Sequence, residues 1–339
     1  MAFQNLITHP NKVTRAFWLF WQLLRYRVAV MLVIFMLVGV AFHGQLSVWH
    51  WKYILAVVGL IFSYVSATSF NDLADEEIDK INHKGKKGRL LVTKEATRIE
   101  LARLGIGASL GMLLCGLLIN KWALAVMALG LFVNINYSLR PLIISYRTFV
   151  APLFLTIGYV IVPYLLGLSV LNYAPTHLDW LLLSAITLLF LARINLKDFR
   201  DREGDSRYGK PTLLLKYGKK VTVLVSLIAL SAGIVLLLRL FTGNIGEQVL
   251  IVVGWLVISL LFVLLWRSPI GTKEQLLIAL SAMVGNGLLF TVLAAFTLTH
   301  MLIPKSTAVI VEVFFMVLAL ANLHFLKRDP DVVLGTYRG

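Results

Sequence analysis

The chain has 339 residues, of which 59% are hydrophobic and only 14% charged, and its formal net charge is +15. Soluble domains carry roughly 25% charged residues, so a mean hydropathy of +0.83 excludes an ordinary water-soluble fold. The basic excess sits in short loops between apolar runs, which suits a membrane surface and not nucleic acid; the single cysteine, Cys115 within an apolar run, offers neither a disulfide nor a thiolate metal site.

Met1 to Lys12 is polar and lacks the apolar stretch of a signal peptide. From there to Arg27, Phe17, Trp18, Phe20, Trp21, Leu23 and Leu24 are interleaved with Arg15, Arg25 and Arg27, the composition of an interfacial lead-in. Apolar runs of about 20 residues follow, each long enough to cross a hydrocarbon core of ~30 Å. Spans are expected at 28–43, 51–70, 101–119, 122–137, 149–171, 178–196, 221–241, 247–266, 275–299 and 307–326. The expected fold is all-α, a polytopic transmembrane bundle of nine or ten helices around a central cavity. No linker-like stretch divides it, so 1–339 reads as one membrane-embedded domain, with a core at 27–300 and an extra helix and tail at 301–339.

With the N-terminus in the cytoplasm, 27 of the 32 Lys and Arg fall on the cytoplasmic side. Only Lys52, Lys121, Arg239 and Lys305 fall opposite, and Arg193 lies within a span. By the positive-inside rule the loops after the second, fourth and sixth spans are then cytoplasmic.

Those loops carry the chemistry. Nine of the 17 acidic residues lie in two eight-residue windows, 72–79 and 198–205. In each, three aspartates (Asp72, Asp75, Asp79 and Asp198, Asp201, Asp205) stand at offsets of 0, 3 and 7, which puts them on one face of a helix. The pattern recurs after 126 residues, each time at a span end and before a basic loop. Two related four-helix units around a shared cavity would produce that.

A carboxylate within a membrane helix costs about 2.5–3.5 kcal/mol at mid-span and less near the interface. Three together also repel one another unless cations neutralise them. Mg²⁺ takes carboxylate oxygens, keeps several waters and is commonly completed by phosphates. Two facing clusters could therefore hold a diphosphate between metal ions. Lys86, Lys87, Arg89, Arg140, Lys197, Arg202 and Lys210 stand near enough in sequence to take its remaining charge, Arg by forked contacts and Lys as a point charge.

Asn71-Asp72-x-x-Asp75-x-x-x-Asp79 resembles the first motif of the UbiA superfamily of intramembrane prenyltransferases. Lys197-Asp198-x-x-Asp201-x-x-Gly204-Asp205-x-x-x-Gly209-x-x-Thr212-Leu213 resembles the second, and Tyr137-Ser138-x-Arg140-Pro141 is similar to the tyrosine-and-basic motif between them. The resemblance covers roughly residues 15 to 300. It implies transfer of a prenyl chain from a prenyl diphosphate to an acceptor, commonly an aromatic ring, with Mg²⁺ on the leaving group. Matched residue by residue, it assigns metal binding to Asn71, Asp75, Asp201 and Asp205 with Asp72, Asp79 and Asp198 in support. It assigns diphosphate contact to Arg89, Arg140, Lys197 and Lys210, and catalytic roles to Tyr137 and Lys197. The implied partners are a prenyl diphosphate, a small lipophilic or aromatic acceptor (a 4-hydroxybenzoate-like acid by default) and membrane lipid, with no nucleic acid.

The remaining polar residues read less sharply. Glu76, Glu77 and Glu203 suit solvated pairing with nearby Lys and Arg. Arg193 suits either the cavity wall or a structural pairing, and Asn134, Asn136 and Asn195 either the acceptor or helix–helix hydrogen bonds. Glu312 is an intramembrane carboxylate outside the matched region, and the seven histidines form no zinc pattern. A transporter would hold its charges nearer the midplane on broken helices. A CDP-alcohol phosphotransferase would keep its aspartates in one continuous motif.

Overall fold

The computed structural model describes residues 12–45, 50–83, 89–242 and 245–300. The expected tenth span at 307–326 and Glu312, Lys86 and Lys87 lie outside the described residues. Nine of the expected spans correspond to helices, preceded by the amphipathic α1 (Lys12–Leu23). They are α2 (Tyr26–Phe42), α3 (Lys52–Ala74), α5 (Arg98–Ile119), α6 (Lys121–Ser138), α7 (Val150–Leu171), α8 (His177–Ile194), α10 (Leu213–Leu240), α11 (Ile245–Arg267) and α12 (Thr272–His300). Two short helices, α4 (Glu76–Asn82) and α9 (Arg202–Arg207), lie between them. Among the described residues seven helices are long and apolar enough to cross a membrane, or eight if α1 and α2, bent by 73°, count as one. The 18-residue α6 carries Lys121, Asn134 and Asn136, polar residues that a span buries only for a reason.

Local sequence sets the helix ends. Thr97 and Thr176 open α5 and α8 with capping boxes completed by Glu100 and Asp179. Asn120 caps α6. α10 is interrupted at Gly218, whose φ of +80° suits a residue without Cβ, and the apolar pattern begins near 221 because Lys216, Lys219 and Lys220 precede it.

The helices form a ring, α3–α5 and α8–α10 being its most extensive pairings, and it closes where α2 meets α12. Small residues bring these pairs together, as apolar side chains gain little by leaving lipid for one another. A Cβ on Gly105 of α5 would come 3.0 Å from Ser69 of α3, and one on Gly233 of α10 would come 2.9 Å from the Ala185 carbonyl oxygen of α8. Ser66 and Ser109 join their hydroxyls across α3–α5 at 2.8 Å.

The structure corrects one expectation. The acidic motifs do not ride on unbroken helices. α3 stops at Ala74, Asp75 stands at the break (φ −98°, ψ 14°), and Asp79 sits on α4. Likewise α8 tightens into a 3-10 turn at Asn195–Phe199, and α9 begins after Asp201. Each break lets a short helix fold across the end of the bundle, where α4 packs on α9; a straight helix would carry the third aspartate away. The architecture of long span, break and short helix thus occurs twice, matching the repeated spacing.

Candidate active site

A cavity of about 350 Å³ lies inside the ring at the end where both motifs break. Asn71, Asp75 and Asp79 line it from one side, Asp201 and Asp205 from the other. The two halves are stapled at Gly204, whose backbone N–H donates to Asn82 Oδ1 at 2.7 Å. A Cβ on Gly204 would lie 2.7 Å from that amide, so the contact needs glycine.

Cations separate the carboxylates. Lys210 Nζ donates to Asp75 Oδ2 at 3.0 Å and lies 4.0 Å from Asp205 Oδ1, bridging the motifs. Asn71 Nδ2 donates to the same Asp75 oxygen at 3.0 Å. Arg89 donates to Asp72 and lies 2.8 Å from Asp79 Oδ2. Lys197 Nζ donates to the Tyr137 hydroxyl at 2.9 Å. His83 lies 3.6 Å from Asp79 and 3.7 Å from Asp201, a placement that the sequence spacing of the histidines gave no sign of.

Burial governs the electrostatics. It raises Asp79 to about 7: Arg89 opposes the rise, and Asp72, Asp75 and Asp201 add to it. Burial likewise raises Asp205 to about 7, against Lys210 and with Asp201 and Asp198. Burial alone would lower Lys210 and Arg89. The carboxylates around them reverse this and hold both above their ordinary values.

Of the residues singled out in the sequence, Asn71, Asp75, Asp79, Arg89, Tyr137, Lys197, Asp201, Asp205 and Lys210 all face this one cavity. Asp72, 2% exposed, stands behind it in the grip of Arg89. Asp198 is buried against a side pocket of about 40 Å³, which Lys197, Asp201 and Lys210 also line. Arg140 is exposed and lines neither space. Arg193 does both things its position allowed: it lines the cavity and donates to Asn286 Oδ1 at 2.6 Å. Asn134 lines the cavity while donating to the Ser63 carbonyl at 3.0 Å, whereas Asn136 bonds within its own helix. Glu76 pairs with Arg98 and Lys80, and Glu77 with Lys80.

Two features had no sequence signal. Glu274, 2% exposed at the start of α12, accepts from Lys219 Nζ at 2.9 Å and from Arg202 Nη2 at 3.3 Å. It thereby ties α10, α12 and the second motif together from a position far outside either acidic window. Arg25, at the start of α2, lines the cavity and its side chain does not cap that helix.

Oxygen donors of this kind suit Mg²⁺. Asp201 Oδ1 is buried with no hydrogen-bond partner, as a ligand oxygen awaiting a cation would be. Among the described residues no three His, Cys, Asp or Glu converge on a ready-made metal position.

Comparison with known proteins agrees with this geometry. Residues 32–280 match the UbiA prenyltransferase family. A digeranylgeranylglyceryl phosphate synthase of Methanopyrus kandleri is 30% identical over 207 residues, 58% of this chain and 70% of the relative. Among solved structures, a digeranylgeranylglyceryl phosphate synthase superposes with a TM-score of 0.64 at 18% identity, over 83% of this chain and 99% of the other. A UbiA homologue of Archaeoglobus fulgidus bound to GPP and Mg²⁺ does so at 0.64 and 17% identity, over 82% and 99%. The chain belongs to the UbiA prenyltransferase family, and is a multi-pass integral membrane prenyltransferase.

Proposed function

We propose that this enzyme moves a prenyl group from a prenyl diphosphate to a lipophilic acceptor with an anionic head, inside the cavity between the two acidic motifs. The observation that carries this reading is the facing of Asp75 and Asp79 with Asp201 and Asp205 across one space, with Lys197, Lys210 and Arg89 among them. In this reading Asn71, Asp75 and Asp79 hold Mg²⁺ from one side and Asp201 and Asp205 from the other, with Asp72 and Asp198 supporting. Bound there, Mg²⁺ neutralises the charge that develops on the leaving diphosphate. Lys197, Lys210 and Arg89 take phosphate oxygens that the metal leaves uncovered. Arg140 joins them only if its loop turns inward.

Tyr64, Tyr137, Tyr159 and Phe190 line the same cavity. They suit the allylic carbon, which gains positive charge as its C–O bond breaks. The apolar bundle keeps water from that carbon. The acceptor's nucleophilic atom then bonds to it and gives up a proton. The distribution of Lys and Arg supports a motif end that faces the cytoplasm.

Arg25 supports an anionic acceptor, because it brings a positive charge to the cavity wall. A phosphate ester of glycerol suits it, and the Methanopyrus relative favours that choice. An aromatic acid of the hydroxybenzoate kind would present its carboxylate to the same guanidinium and is the second reading. The test uses purified protein in lipid nanodiscs with Mg²⁺, radiolabelled geranylgeranyl diphosphate and either a prenylglyceryl phosphate or 4-hydroxybenzoate. Mass spectrometry should find the ether lipid as the labelled product. Label on the benzoate alone would install the second reading, and no label on either would remove both.

A further inference from the structure

α9 has six residues, too few to hold a helix direction unaided, so it takes its direction from the contacts that grip it. One grip is the Gly204–Asn82 hydrogen bond. The other starts at Arg202, its first residue. Arg202 does not line the motif cavity, although its place in the sequence offers it to a diphosphate. Its guanidinium lies 5.5 Å from the centre of the Phe199 ring, and its Nη2 donates to both Glu274 oxygens at 3.3 Å. Glu274 Oε1 also accepts from Lys219 Nζ at 2.9 Å. The same ammonium donates to the Ser268 carbonyl at 2.7 Å and to the Ser268 hydroxyl at 2.9 Å, so all three of its protons are engaged. Lys219 directly follows the break at Gly218, and Ser268 follows the last residue of α11. Thus α9, α10, the end of α11 and α12 meet around one buried carboxylate.

We propose that Glu274 is a positioning residue for the metal site: through Arg202 it sets the rotation of α9, and so aims Asp201 and Asp205 at the cavity. The inference rests on the metal-diphosphate reading of that cavity. Asp201 immediately precedes Arg202, and Asp205 lies three residues beyond it, close to one turn. One residue of slip turns a helix by about 100°, enough to take a carboxylate off a shared cation. Stability alone gives a poor account of the network, since apolar side chains of similar volume hold helices together as well as a buried ion pair does. What charge-assisted hydrogen bonds add is direction. Of the two cations that Glu274 holds, Lys219 belongs to α10 and Arg202 to the second motif. Gln275, Ile278, Ala279 and Ala282, which follow Glu274 on α12, line the same cavity. One anchor therefore fixes a stretch of cavity wall and two metal-site carboxylates relative to each other.

Mn²⁺ binding in the presence of inorganic diphosphate, followed by electron paramagnetic resonance on detergent-solubilised protein, tests this without turnover. Glu274→Gln and Arg202→Gln should each weaken that binding by about tenfold or more, the scale of a hydrogen bond between charged groups. The double variant should bind no more weakly than the weaker single one, since both changes cut one contact. Lys219→Met separates positioning from bracing, because it removes the other cation and leaves Arg202 on Glu274. Its melting temperature should fall while its Mn²⁺ affinity stays within about twofold of the wild type. Turnover should divide in the same way. In Glu274→Gln the Mg²⁺ concentration for half-maximal rate should rise by about tenfold, and kcat at saturating Mg²⁺ should return close to the wild-type value. Glu274→Asp keeps the charge but shortens the reach; it should show a smaller loss of affinity, and it decides the matter if the glutamine variant does not fold. Wild-type affinity in the Glu274 variants, or an equal loss in Lys219→Met, would make Glu274 a brace and overturn the assignment. A loss in Arg202→Gln alone would mark Arg202 as a direct diphosphate contact and overturn it too. Wild-type protein that binds no Mn²⁺ with diphosphate would instead remove the metal-diphosphate reading, and this inference with it.

Discussion

Removing the charge of Lys210 separates electrostatic bridging of the two motifs from simple packing. Its Nζ lies 3.0 Å from Asp75 and 4.0 Å from Asp205, and the side chain is almost fully buried. At an effective dielectric constant of ~20 these distances correspond to gross attractions of about 5 and 4 kcal/mol. The desolvation of three buried charges offsets most of that. Breaking a buried pair by removing one partner nevertheless costs about 3–5 kcal/mol, because the other charge is left uncompensated. Lys210→Met keeps most of the apolar stem, so the loss is nearly all charge. In chelator the variant should therefore unfold well below the wild type. Mg²⁺ supplies positive charge at the same carboxylates, so it should raise the variant's melting temperature more than it raises the wild type's. Adding Asp75→Asn should recover part of the loss, since the two changes act on one contact. Thermal unfolding in detergent, followed by intrinsic tryptophan fluorescence with and without Mg²⁺, reads all three. Equal destabilisation in Mg²⁺ and in chelator, with no recovery in the double variant, would refute the reasoning.

Other expectations follow from the same geometry. Gly204→Ala places a Cβ 2.7 Å from the Asn82 amide and should pull α4 from α9; diphosphate release should fall far more than the melting temperature, and unchanged release would count against the staple. Glu274→Gln should lower stability by about 2–3 kcal/mol, the scale of hydrogen bonds to charged groups, because Arg202 and Lys219 lose their shared carboxylate. A variant melting with the wild type would show that the network is idle. Asp79 and Asp205 are raised to about 7 from ordinary values of 3.8. Their protonated forms favour the folded state, so that contribution is complete below about pH 4 and is lost as pH rises through about 7. Metal-free protein should melt lower at about pH 8 than at about pH 6, and Asp79→Asn and Asp205→Asn should each flatten the dependence; identical slopes in all three proteins would contradict the assignment.

The membrane class, nine of the helices and most of the cavity-lining motif residues were legible because each rests on a local signal. Runs such as Leu213–Leu240 announce themselves by hydropathy, and aspartates in such a setting stand out because carboxylates are costly there. What the sequence hid depends on contacts between distant segments. The breaks at Asp75 and after Phe199 answer to the docking of α4 on α9, which no helical periodicity records. Lys210 could be read as a diphosphate contact but not as the cation between Asp75 and Asp205, since it sits within the second motif and reaches across to the first. Glu274 looked like an ordinary helix-start carboxylate, and its two partners come from α10 and α9, 55 and 72 residues earlier. Arg140 shows the converse: motif spacing marks it, yet its side chain stands at the surface.

The central claim is that the two acidic motifs act as one site for a metal-bound diphosphate. Mn²⁺ can replace Mg²⁺ and be followed by electron paramagnetic resonance, so binding is read without turnover. Titration of detergent-solubilised protein with Mn²⁺, with and without inorganic diphosphate, should show diphosphate-dependent binding in the wild type. Asp75→Ala and Asp205→Ala, one from each motif, should each lose it. Retention of that binding in either variant, while both remain folded, would contradict a shared site.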